Sequence, residues 1–450
     1  MPSSTPQQSV PPGMSAEPSP RSNGLWAVGQ QLSTVALTGV FSIVLVRFVS
    51  VNDFGIYSYA TSVAGLGAAI MVGGLQGLAI REFRNRPLAA ETTMSALFFI
   101  RELLALVVYA IFTGYTIAIA DGSVVPATLI ACIAIVARVL DAPELWFQSQ
   151  LQTKTPAKIR ISTSASFFVI RIAVLIWAPS LIALLVLFVL EQAINGVLLT
   201  LLYKKRTGNK AFQRPDGPYT KSLAKNAAPR ALSGIANQIN LRSDILVLQA
   251  LLGNTSVGLY SAAARLSEIL YVVPTAYMNA TFPSLLDVRQ KHGPESKEYR
   301  RQLQQGFDGA FWFGVLVVAV MATSAGWIVQ LLFGSEYAES ADVLRIHVLA
   351  CPFVFMAAIL SKWIVAENKL WISLVRHVVG AILSIGLNLA LIPTFGIVGS
   401  AWATVGSYTA ASYLFCFFSR DTIRVALMMS STPFAPIRLL LAWRKRGTEN

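Results

Sequence analysis

Apolar runs of about 20 residues, the length that crosses a hydrocarbon core, recur about twelve times along this chain of 450 residues. They fall near 25–48, 56–80, 94–118, 125–147, 159–177, 181–203, 228–252, 259–286, 307–333, 343–365, 371–392 and 397–418. Backbone polar groups inside a bilayer must be satisfied within their own segment, so runs of this length predict helices. The composition agrees: at 54% hydrophobic and 13% charged residues, with mean hydropathy +0.58, the chain carries about half the charge of a soluble protein. The expected fold class is all-α, a polytopic membrane protein of about twelve transmembrane helices.

The connecting segments set the orientation. Arg81, Arg84 and Arg86 follow the second run, Lys154, Lys158 and Arg160 the fourth, and Lys204, Lys205, Arg206, Lys210, Arg214, Lys221 and Lys225 the sixth. Arg289, Lys291, Lys297, Arg300 and Arg301 follow the eighth, Lys369 the tenth, and Arg420 and Arg424 the last. The alternate loops are short and neutral or acidic: Asn52-Asp53, Asp121-Gly122, Ala178-Pro179, Asn254-Thr255 and Ser335-Glu336. This alternation predicts both termini in the cytoplasm, in an inner or plasma membrane. It also explains the formal net charge of +14 as topology, with no nucleic-acid partner.

Residues 1–24 are rich in Pro, Ser and Gln and should form a disordered cytoplasmic tail. The expected organisation continues with a first lobe at 25–203, a basic cytoplasmic linker at 204–227, a second lobe at 228–419 and a cytoplasmic amphipathic tail at 420–450. In that tail Phe434, Ile437, Leu440, Leu441 and Trp443 stand beside Arg438, Arg444, Lys445 and Arg446, which suits a helix lying on anionic lipid. Cys132, Cys351 and Cys416 fall inside apolar runs, and His292, His347 and His377 share no ligand spacing, so no metal site is expected.

Two segments align without a gap. Phe54-Gly55-Ile56-Tyr57-Ser58-Tyr59-Ala60 opens the second run, and Val257-Gly258-Leu259-Tyr260-Ser261-Ala262-Ala263 opens the eighth. Both follow a neutral loop, so the halves read as parallel six-helix repeats around a central cavity. Pro143, Pro274 and Pro283 lie inside runs and should bend them.

Charges within the runs are the candidates for function. The stretch 242–286 is apolar enough to span a membrane yet holds Arg242, Asp244, Arg265 and Glu268. Each charge costs roughly 2.5 to 3.5 kcal/mol at the centre of a lipid-facing helix, so each should face protein or water. Arg138 and Arg171 fall near mid-membrane, and Arg47, Arg242 and Arg265 in the outer half. The accompanying acids are Asp141, Glu144, Asp244 and Glu268. Arg138 with Asp141, and Arg265 with Glu268, are spaced to pair along one helix face. Arg171 has no acid within a turn, and Arg47 has only Asp53 nearby. Such arginines need an acceptor from elsewhere, for which a substrate phosphate or carboxylate, or for Arg47 a backbone carbonyl or lipid headgroup, would serve. Arg101, Glu102, Lys362 and Arg376 lie close enough to the cytoplasmic end to snorkel, and Arg345 and His347 near the outer end to be interfacial.

These residues carry a resemblance. D-I-L-V-L from Asp244, G-N-T-S-V-G-L-Y-S-A-A-A-R-L-S-E from Gly253 and F-P-S-L-L from Phe282 resemble the second-half signature of the bacterial polysaccharide (O-antigen type) flippases. F-G-I-Y-S-Y-A at Phe54, A-I-R-E-F at Ala79, F-G-S-E-Y at Phe333 and L-N-L-A-L-I-P-T-F-G-I-V-G-S-A-W-A-T from Leu387 extend it over nearly the whole chain. The resemblance implies the multidrug, oligosaccharidyl-lipid and polysaccharide exporter superfamily, with two six-helix lobes forming a V-shaped cavity. It implies flipping of an undecaprenyl-diphosphate-linked oligosaccharide by alternating access, with coupling to a proton or sodium gradient and no other cofactor. Membrane lipids and a polysaccharide polymerase would be the further partners. The expected cavity cations are Arg138, Arg171, Arg242, Arg265 and Arg47; Asp141, Glu144, Asp244 and Glu268 are candidates for ion coupling or charge pairing.

Two other functions compete with this one. A drug exporter of the same superfamily would prefer cationic substrates and cavity carboxylates, whereas arginines are at least as numerous here. A membrane glycosyltransferase, polymerase or ligase would need a sizeable loop for its catalytic groups, and the neutral loops are too short to hold one. The lipid II flippase is expected to be less similar, having about two extra spans.

Overall fold

The structure, a computed structural model, describes residues 20–119, 122, 124–208, 215–438 and 440. Most of the N-terminal tail, Asp121, Lys210, Arg214, and Leu441, Trp443, Arg444, Lys445 and Arg446 of the C-terminal segment therefore lie outside the described residues. The first half of the chain forms α1 (Pro20–Phe48), α2 (Val51–Val72), α3 (Leu75–Asn85), α4 (Ala90–Ile119), α5 (Val124–Ala137), α6 (Pro143–Ser149), α7 (Lys154–Trp177) and α8 (Leu181–Thr207). The second half forms α9 (Gly217–Leu270), α10 (Val272–His292), α11 (Lys297–Leu332), α12 (Ser340–His347), α13 (Cys351–Ala366), α14 (Leu370–Ser412) and α15 (Ile423–Ser430). Among the described residues there is no strand.

Among the described residues, ten helical stretches are long and apolar enough to span a membrane. Two of them, Ala231–His292 and Leu370–Phe417, are much longer than one crossing requires. Each contains a glycine outside helical geometry, Gly253 (φ 77°, ψ −170°) in α9 and Gly396 (φ 59°, ψ −140°) in α14. At the usual rise of about 1.5 Å per residue a straight helix would hold Asp244 and Tyr260 about 24 Å apart, yet the Tyr260 hydroxyl donates to Asp244 Oδ2 at 2.6 Å. Asn388 and Ser400 would stand about 18 Å apart, and they hydrogen-bond at 2.7 Å. Both long helices therefore fold back at their glycines, in a left-handed conformation that costs glycine little. Each is long enough for two crossings, which fits the expected number of about twelve.

Local chemistry sets the helix ends. Ser50 Oγ accepts the Asp53 N–H at 3.1 Å to start α2, and Ser296 Oγ accepts that of Tyr299 at 3.2 Å to start α11. Asp216 caps Tyr219 at 3.4 Å, with Pro218 in the first turn, so α9 begins at Gly217. The chain from 217 to 227, expected as linker, is thus already helical. Pro143 cannot donate a backbone hydrogen bond, and a 3-10 stretch over Arg138–Asp141 precedes it.

Apolar side chains face outward as well as inward, as they do where lipid is the solvent. On α4, Leu103, Val107 and Ile111 form an exposed stripe, while hydroxyls and amides such as Ser58, Asn195, Asn388 and Ser400 are buried. Helix α2 is central, packing on α5 to one side and on α9 to the other; α9 packs on α14, and α1 on α7. The repeat segments meet where α2 crosses the part of α9 beyond Gly253, so the two halves touch at the neutral-loop end through Gly55 and Gly258.

Candidate functional site

A cavity of about 490 Å3 opens between the halves. Helices α1, α2, α7 and α8, with Arg138, form one wall; Arg242, Arg265, Glu268, Ile269 and Val272 form the other. Four of the five arginines expected in the cavity, Arg138, Arg171, Arg242 and Arg265, do line it.

Most of these arginines have acid partners. Arg171 Nη2 donates to Glu191 Oε2 at 2.6 Å, and Ser164 Oγ donates to Oε1 of the same carboxylate at 2.7 Å. The Arg171 guanidinium also lies 5.4 Å from the centre of the Phe41 ring. Arg160 bridges Glu144 at 2.5 Å and Asp141 at 3.0 Å, and Arg138 pairs with Asp141 at 3.6 Å, as its spacing predicted. Arg242 pairs with Glu268 at 3.4 Å across the turn in α9. The 3-10 stretch positions Arg138 and Asp141: the Leu140 carbonyl accepts the Thr200 hydroxyl at 3.1 Å, and Gly196 lets α8 press against Leu140.

Arg265 differs from the others. It donates to Ser42 on α1 and, at 3.3 Å, to Ser58 on α2, and lies 5.3 Å from the centre of the Phe54 ring. Among the described residues no carboxylate is within ion-pair distance of it. Its expected pair with Glu268 does not form, because the turn in α9 brings Arg242 to Glu268 instead. Of the five arginines lining the cavity, four pair with Asp141, Glu144, Glu191 or Glu268, and Arg265 is the cation left without an ion-pair partner among the described residues.

Other expectations need correction. Arg47 is exposed and outside the cavity; its Nε donates to the Leu332 carbonyl at 2.8 Å and its Nη2 to that of Leu331, so it caps the end of α11. Asp244 faces the interior of the second half, where Tyr260, itself 3.0 Å from Thr404, donates to it. Asp141 and Glu144 stand behind the wall, holding Arg160. Arg171 does have an acid, on the neighbouring helix. Arg101 and Arg376 do not snorkel: they are 2% and 6% exposed, and Arg376 donates to Ser361 at 2.7 Å. His347 is buried, with Nδ1 2.7 Å from Ser267 Oγ, not interfacial.

Two charged wall residues do not stand out in the sequence, nor do the amides Gln192 and Asn195. Arg160 stands among the loop cations in sequence yet lies within α7, and Glu191 is the one acid in an otherwise apolar run. An isolated acid in such a run is a readable signal.

A family model described as "Polysaccharide biosynthesis protein" matches residues 44–342. The chain is 21% identical over 252 residues to a Haloferax volcanii protein described as a probable low-salt glycan biosynthesis flippase, Agl15, across 55% of this chain and 52% of that relative. It is 23% identical over 171 residues to a putative O-antigen transporter of Shigella flexneri, across 38% of this chain and 40% of that one. The chain thus matches about half or less of the length of these curated relatives. Its fold is similar to that of the lipid II flippase MurJ in an inward closed conformation, with TM-score 0.71 and 15% identity over 93% of this chain and 92% of that one. The similarity in fold is thus closer than the expected difference in span number suggested.

Proposed function

Because the chain belongs to the polysaccharide biosynthesis protein family, we propose that it is a flippase moving an undecaprenyl-diphosphate-linked oligosaccharide across the inner membrane by alternating access. The observation that carries this reading is the cation Arg265, held at the seam between the halves by two serine hydroxyls. A phosphate forms charge-assisted, bidentate hydrogen bonds with a guanidinium and displaces neutral hydroxyls from it. The cavity would cover the polar head of the lipid while its tail trails in the bilayer. The relatives described as a flippase and a transporter support transport over glycosyl transfer. The Arg265 cation favours an anionic substrate over the cationic drugs of an exporter.

The remaining parts follow from this reading. Loop charges orient both termini to the cytoplasm. Asp244, buried with Tyr260 and Thr404, is the acid we assign to coupling transport to a proton or sodium gradient. A polysaccharide polymerase would take the product.

The test is Arg265→Ala beside Arg265→Lys in cells that depend on the protein for polysaccharide export. The expected result is loss of export in Arg265→Ala at near-normal protein level, with lipid-linked units retained on the cytoplasmic face and partial recovery in Arg265→Lys. Normal export by Arg265→Ala would sink the proposal.

A further inference from the structure

We infer that the two walls of the cavity have different tasks: the seam around Arg265 takes the phosphate, and the face of α8 bearing Glu191, Gln192 and Asn195 reads the saccharide. This rests on the transport reading above. The pairing of the cavity arginines separates the walls. In the first half the arginines that line the cavity, Arg138, Arg160 and Arg171, each pair with a carboxylate among Asp141, Glu144 and Glu191. In the second half Arg242 pairs with Glu268 and also interacts with the Asp244 carboxylate, and Arg265 alone of the cavity arginines has no ion-pair partner among the described residues.

The α8 face offers a different chemistry. Glu191, Gln192 and Asn195 all line the cavity, on one side of the helix as their spacing requires. Glu191 is held rigidly by Arg171 and Ser164. Asn195 is only 2% exposed, yet its Oδ1 has no hydrogen-bond partner. A buried acceptor left unpaired at a cavity wall marks a place for a donor from a ligand or an ordered water. Planar amides and a carboxylate present paired donors and acceptors, which suit adjacent hydroxyls and give them little electrostatic attraction for a phosphate. The ligand chemistry that fits is an uncharged, hydroxyl-rich group.

The experiment uses the full chain reconstituted in liposomes with two probes, a fluorescent polyprenyl diphosphate carrying a neutral oligosaccharide and a sugar-free polyprenyl diphosphate as competitor. Gln192→Ala, at a half-buried position, is the first variant, and Asn195→Leu the second. Each is expected to raise the half-saturating concentration of the sugar-bearing lipid by about tenfold, the loss that corresponds to one good hydrogen bond, while the competitor inhibits as before. Arg265→Ala is expected to weaken both lipids alike. If the α8 variants weaken both lipids equally, or neither, the inference is overturned. If the parent protein engages neither lipid, the transport reading itself fails, a result separable from the first because no variant is needed to see it.

Discussion

Gly55 and Gly258 occupy equivalent places in a single contact: a Cβ on Gly55 would stand 1.9 Å from the carbonyl oxygen of Asn254, and one on Gly258 would stand 2.3 Å from that of Val51. Val51 precedes Gly55 by the same four positions that separate Asn254 from Gly258, so the contact maps onto itself when the halves exchange roles. Backbone approaches backbone there as only glycine allows. The Arg47 cap on α11 and the edge-on ring pair Phe54–Tyr337, 6.2 Å apart, join the halves at the same end.

Gly55→Ala and Gly258→Ala should therefore have matching effects. Each methyl meets main-chain atoms that cannot rotate away, so each should cost about 1 to 3 kcal/mol and loosen the neutral-loop end. Thermal melting in detergent, with labelling of a cysteine placed at Val51, measures both effects. Unchanged melting and labelling would show that the contact does not hold the halves together.

The Arg171–Glu191 pair predicts a non-additive pattern. Glu191→Ala leaves a buried guanidinium without its acid, at a cost of about 3 to 5 kcal/mol, and Arg171→Ala leaves the converse. The double variant should recover much of the lost stability. A thermodynamic cycle of melting midpoints checks this, and purely additive losses would refute a mutual role.

Arg47→Ala should leave substrate half-saturation at the parent value while lowering stability by about 0.3 to 1 kcal/mol, the usual contribution of a cation at a helix C-terminus. A large rise in half-saturation would return Arg47 to the binding residues.

Asp244→Asn keeps an acceptor for the Tyr260 hydroxyl but cannot carry charge. Transport driven by an imposed ion gradient should be lost while exchange without a gradient persists. Gradient-driven transport at the parent rate would exclude Asp244 from coupling.

The run lengths and loop charges made the helices legible, because both follow from transfer energies that depend on composition alone. Rotation about a helix axis is not encoded in that way. Arg47 and Arg101 stand at depths that suited cavity and interface, yet one turns to the end of α11 and the other into the bundle. Spacing predicted the Arg138–Asp141 pair correctly, because both residues sit on one short stretch. It failed for Arg265 and Glu268, because the turn at Gly253 supplied a rival cation from farther away. Arg160 was hidden among loop cations, and its three-way contact with Asp141 and Glu144 depends on a bend that Pro143 only hinted at.

Because nearly every arginine facing the chamber brings its own counter-ion, an emptied chamber is almost electrically balanced. A carrier of this design could swing back without cargo and face little electrostatic penalty, and a departing anion would be opposed by one bare cation, not five. Easy unloading, as much as tight capture, is what such self-compensation provides.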